Sequence, residues 1–109
     1  MVLEEAIVKY ASALDGVEMR EMEPSSEHGA SQLVFYRGEK IFLVLQKDTR
    51  PLRIELRIDK RLSKTLQERY ESVMQGRLLG RNGTEIICSG QLTDDEIIDL
   101  VRHGYEMSA

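Results

Sequence analysis

The chain has 109 residues and a mass of 12.5 kDa, enough for a single domain over 1–109 and too little for two independent cores. Charged residues make up 31% and hydrophobic residues 41%, usage that points away from disorder and fibre. No apolar run approaches the roughly 20 residues of a membrane helix, and the net charge of −4 argues against a non-specific nucleic-acid binder.

That net value conceals a basic middle. Residues 1–36 hold two Lys/Arg against seven acids, residues 37–81 hold twelve against six, and residues 82–109 hold one against six. The N-terminus, Met1-Val2-Leu3-Glu4-Glu5, has acids and no basic n-region, so a cytoplasmic domain is expected rather than a secreted one.

Residues 2–14 read as a helix, because Leu3, Ala6, Ile7, Tyr10, Ala13 and Leu14 recur at spacings of three and four, and Gly16 stops it. Residues 18–30 are acidic and aperiodic and read as a solvated connection. Gln32 to Arg37 and Lys40 to Gln46 form a hairpin around Gly38-Glu39, and Ile41 to Leu45, apolar on both faces, belongs in the middle of a sheet. Leu52 to Ile58 alternates throughout, with Leu52, Ile54, Leu56 and Ile58 inward and Arg53, Glu55 and Arg57 outward.

Asp59 is a fair N-cap for a second helix that carries Leu62, Leu66, Tyr70 and Val73 on one face and ends at Gly76. Arg77 to Leu79 and Thr84 to Cys88 flank Arg81-Asn82-Gly83, a hairpin signal. Thr93 and Glu96 form a capping box for a last helix that buries Ile97, Leu100, Val101 and Tyr105. The order α-β-β-β-α-β-β-α gives a two-layer α+β domain with a mainly antiparallel sheet.

Catalytic signals are thin. No phosphate-loop, dinucleotide, zinc-protease or nucleophile-elbow motif is present. His28 and His103 are 75 positions apart, and a histidine needs a placed partner before it acts as a base. The expectation is a solvated His28 and a His103 that helps to satisfy the end of the last helix. Cys88 shares a side with Ile86 and reads as a buried, inert thiol; as the only cysteine it forms no internal disulfide, and no cofactor or metal site is expected. Asp94, Asp95 and Glu96 suit the helix dipole rather than a metal.

The basic middle offers a binding surface instead. Arg53 and Arg57 share one strand face, and Lys60, Arg61 and Lys64 open the second helix, where together they can meet phosphates. The competing reading is a solvated face in which Glu55, Asp59 and Glu68 neutralise these charges.

Several segments resemble MmcQ/YjbR-like proteins. Phe35-Tyr36-Arg37-Gly38-Glu39-Lys40-Ile41-Phe42 is similar to the family's first hairpin, with its Gly-x-Lys-x-Phe core, and Leu14-Asp15-Gly16-Val17 to its Leu-Pro-Gly-Val start. Glu68 to Gly76 is similar to the segment before its second hairpin, and Gly90 to Ile97 with Val101 to Glu106 resembles its closing helix. Two departures stand out: the family's Trp before the fifth strand is Gly83 here, and the Ser of its closing Ser-Tyr pair is Gly104. The resemblance implies an α-β(3)-α-β(2)-α fold and a DNA-binding description without an established reaction. The functional expectation is therefore a non-enzymatic domain that binds DNA through Arg53, Arg57, Lys60, Arg61 and Lys64. The alternative is a protein-interaction or secretion-chaperone-like module acting through a sheet face or edge, or as a homodimer.

Overall fold

The computed structural model describes residues 2–23 and 31–109. Helix α1 spans Leu3–Ser12, followed by strands β1 (Val17–Met22), β2 (Gln32–Arg37), β3 (Lys40–Gln46) and β4 (Leu52–Arg57). Helix α2 (Lys60–Arg69), strands β5 (Val73–Gln75) and β6 (Gly83–Cys88), and helix α3 (Asp94–Met107) complete the chain, with a 3-10 turn at Gly80–Asn82 between β5 and β6. The six strands form one antiparallel sheet in the order β1-β2-β3-β4-β6-β5. The helices cover one face, giving the two-layer α+β architecture.

Strand alternation sets the two faces. Leu43 sits opposite Leu56, Leu45 opposite Ile54, and Ile54 opposite Ile86, so these apolar side chains form one continuous inner surface. Ile7 and Ala11 of α1 and Ile97 and Val101 of α3 close over it, and all of these residues are buried in one core cluster. The cap of α3 is as expected: the Thr93 hydroxyl accepts from the Glu96 amide while the Glu96 carboxylate accepts from the Thr93 amide. The Thr93 amide first, and then the Thr93 hydroxyl, hold the Glu96 carboxyl below its ordinary pKa.

Tyr105 anchors the end of α3. Its hydroxyl donates to the Asp15 carbonyl at 2.6 Å, its ring meets Phe42 edge-on, and Arg37 lies over that ring while donating to the Tyr105 carbonyl. Neighbouring Gly104 is buried where a Cβ would lie 2.9 Å from the Arg57 carbonyl oxygen and 3.3 Å from that of Phe42. A serine at this position would therefore force α3 off the sheet, which explains why glycine stands there.

Three local expectations are corrected. Residues 18–22, expected to belong to a solvated connection, lie in edge strand β1. Helix α2 stops at Arg69, so Tyr70 caps it and Val73 belongs to β5. The second hairpin is built from β5 and β6, and Arg77 to Leu79 lie in the loop between them rather than in a strand. His28 lies outside the described residues.

Candidate nucleic-acid interface

The sheet separates the basic residues into two groups. Arg53 and Arg57 project from the outer face, whereas α2 lies on the inner face, where the buried Ser63 hydroxyl is hydrogen-bonded to Thr84 of β6. Lys60, Arg61 and Lys64 therefore stand on the other side of the sheet from Arg53 and Arg57, and the five nominated residues do not share one surface.

Helix α2 starts as its sequence requires. The Asp59 carboxylate accepts from the amides of Arg61 and Leu62, offsetting the unfavourable placing of two cations in the first turn. Lys60 and Lys64 are four residues apart, so they project from the same side. Together with Ser63, Gln67, Glu68, Gln75 and Arg81 they line an open groove of about 400 Å³ between α2 and the β5–β6 loop. Gln75 fastens that loop by donating to the carbonyls of Gly80 and Gly83 at 3.3 and 3.2 Å. Arg81 is not one of the five nominated residues: it is 17 positions from Lys64, and only the loop's path brings it to the groove.

Among the described residues no carboxylate lies within ion-pair distance of Lys60, Arg61, Lys64 or Arg81. Glu68 is the one acid in the groove lining. The outer face differs. Arg53 lies 3.8 Å from the Glu85 carboxylate, and Arg57 donates through Nε to the Ile41 carbonyl at 3.1 Å. Arg37 is spent on Tyr105, and Arg77 lies 3.6 Å from Glu85. Among the described residues Lys60, Arg61, Lys64 and Arg81 share their lack of a side-chain partner with Lys9, Lys40 and Arg50, but three of the four converge on one groove.

Glu55 was expected to face solvent and soften the basic field, yet it is only 2% exposed. Its carboxylate accepts the successive amides of Arg77, Leu78 and Leu79 at 2.5–3.1 Å, so the β5–β6 loop folds down over the outer sheet face. Three convergent backbone amides form an anion nest, filled here by the chain's own carboxylate. Glycine permits the approach: a Cβ on Gly76 or Gly83 would come within 2.6 or 2.5 Å of the Glu55 carboxylate. The tryptophan of the resembling family cannot stand at Gly83 while this nest is filled.

Of the groups considered for catalysis, His103 is placed differently from the expectation. His103 accepts the Asp59 amide at Nε2, at 3.2 Å, so it helps to start α2 instead of finishing α3. That contact requires a ring unprotonated at Nε2. Cys88 is half-buried, and burial with a smaller contribution from Asp94 pushes its thiol up to about 12. A thiol that titrates so high presents little thiolate at pH 8. Its reaction with a disulfide reagent at that pH should be at least about a hundredfold slower in the folded protein than in guanidinium, since each pKa unit is a tenfold change in thiolate. Rates within tenfold of each other would contradict that placement. Among the described residues no group of three His, Cys, Asp or Glu side chains is arranged to hold a metal ion. No helix among them is long and apolar enough to cross a membrane.

No family model matches the chain, and no curated protein matches it. Solved structures do. A Deinococcus radiodurans protein, DR2400, with a DUF419 domain superposes with a TM-score of 0.76 at 18% identity, covering 95% of this chain and 76% of that one. A structural genomics target from Pseudomonas syringae superposes with a TM-score of 0.71 at 16% identity, covering 100% of both chains. At such identities the likeness establishes a shared fold.

Proposed function

We propose that this chain is an MmcQ/YjbR-like, non-enzymatic cytoplasmic domain that binds nucleic acid along the α2 groove, with Lys60, Arg61, Lys64 and Arg81 as its phosphate contacts. The observation that carries the reading is the convergence of Lys60, Lys64 and Arg81 on one groove with a single acid, none of the three nor Arg61 having an ion-pair partner among the described residues. Net charge is a poor guide to this encounter. At physiological salt the Debye length is about 8 Å, so a phosphate responds to the charges beside it. Arg53 and Arg57 are secondary contacts at most, since each already has a protein partner on the far side of the sheet. The amides of Gln67 and Gln75 supply uncharged donors and acceptors in the same groove.

An NMR titration with short single-stranded and duplex oligonucleotides at low salt tests the reading. Amide shifts are expected to concentrate at residues 60–68 and 75–82. Shifts confined to the outer strand face, or none at millimolar oligonucleotide, would overturn it.

A further inference from the structure

The two edges of the sheet are unlike. Strand β5 is three residues long, whereas β1 is six, and among the described residues nothing pairs with the outer side of β1. A free strand edge presents a row of backbone donors and acceptors that can pair with another chain, and proteins usually blunt such edges with charged side chains (lysine above all), proline or a bulge. Val17-Glu18-Met19-Arg20-Glu21-Met22 contains no lysine or proline, and its pairing with β2 is regular from Val17 to Met22 on its own side. Met19 and Met22 are 43% and 48% exposed, among the most exposed large apolar side chains described.

We infer that β1 is a self-pairing edge, through which two copies of the chain join antiparallel about a two-fold axis at Met19. The register follows from strand chemistry. Residues directly opposite each other in an antiparallel pair share their hydrogen-bonding direction. Between identical strands the axis must then pass through a residue facing its own copy. An axis at Glu18, Arg20 or Glu21 sets a like charge against itself at the centre, which is destabilising. With the axis at Met19, Met19 packs on Met19, and Glu18 faces Arg20 of the second copy twice over. Glu18 and Arg20 already lie 3.3 Å apart within one chain, so the pairing produces a square of four alternating charges.

An edge contact of five residue pairs is smaller than a standard interface of about 1,600 Å², so the dimer is weak. It needs no nucleic acid and is independent of the α2 groove. Sedimentation equilibrium from tens of micromolar to 1 mM tests it. The weight-average mass should rise from 12.5 kDa towards twice that value, and less steeply as salt screens the charge square. Glu18→Arg and Arg20→Glu each place like charges opposite one another and should weaken association at least tenfold. The double variant Glu18→Arg/Arg20→Glu restores opposite pairing and should restore the dimer. Both positions are exposed, and matching circular dichroism spectra confirm that the variants fold. A monomer at 1 mM in low salt overturns the inference. So does association that both single variants leave unchanged, or that the double variant fails to restore.

Discussion

Replacing Glu55 by alanine is expected to cost about 3 kcal/mol or more of folding stability, because it strips the acceptor from three loop amides at once. A hydrogen bond to a charged group contributes about 1.5–3 kcal/mol, and here three part-buried bonds are lost together. The outer sheet face makes the site unforgiving. Glu55 stands directly opposite Glu85 on β6, and both are almost fully buried. Like charges so placed repel, but each has its own compensation: the amides of residues 77–79 for Glu55, and the nearby guanidinium groups of Arg53 and Arg77 for Glu85. Those two guanidinium groups are partly exposed, so they contribute little by themselves. Urea unfolding followed by circular dichroism would measure the loss. In a domain of this size each kcal/mol corresponds to roughly 4–8 °C in Tm. A Glu55→Ala variant within about 1 kcal/mol of the parent would show that the loop does not depend on the nest.

Gly76→Ala is expected to be the second large loss, about 2–3 kcal/mol. The added Cβ would lie 2.6 Å from the Glu55 carboxylate and 2.7 Å from the backbone carbon of Gly83. A side-chain end alone could swing aside, whereas a backbone carbon in a paired strand cannot, so the hairpin must shift; forcing atoms into a packed site costs about 1–3 kcal/mol. Alanine also narrows the unfolded ensemble, a gain of under about 1 kcal/mol that only softens the loss. The double variant Gly76→Ala/Glu55→Ala should lose less than the sum of the two, because the second change removes part of the first one's clash. Strict additivity would place the strain elsewhere.

Strong periodicity made much of the fold legible in the sequence. Residues 52–58 alternate and form β4 as far as Arg57, the Gly38-Glu39 turn joins β2 to β3 with Gly38 at φ +65, and the Thr93–Glu96 box opens α3. Strand β1 was hidden because five of its six residues are exposed, which leaves no apolar alternation to read. The helical spacing of Leu62, Leu66, Tyr70 and Val73 continued past the end of α2 because Val73 is buried as a strand residue in the same core. Strand β5, at three residues, is too short for any period.

Charge was legible, but its geometry was not. The α2 cations could be seen in the sequence, while the contribution of Arg81 depends on how the loop packs. Glu55 stands between two arginines in an alternating strand, the pattern of a solvated face, and nothing local reveals three amides descending on it from residues 77–79. Arg53 and Arg57 were joined with α2 on charge alone, although a strand's outer face and a helix packed on its inner face cannot form one surface.

The salt dependence of oligonucleotide affinity tests the central claim most directly. Counterion release gives a slope in log K against log salt of about −0.9 per duplex phosphate contact and −0.7 per single-strand contact. If the α2 groove is the interface, the triple variant Lys60→Gln/Lys64→Gln/Arg81→Gln should lower the magnitude of that slope by about 2–3, while Arg53→Gln/Arg57→Gln lowers it by less than about 1. An unchanged slope in the triple variant, or no measurable binding by the parent protein at low salt, would contradict the account.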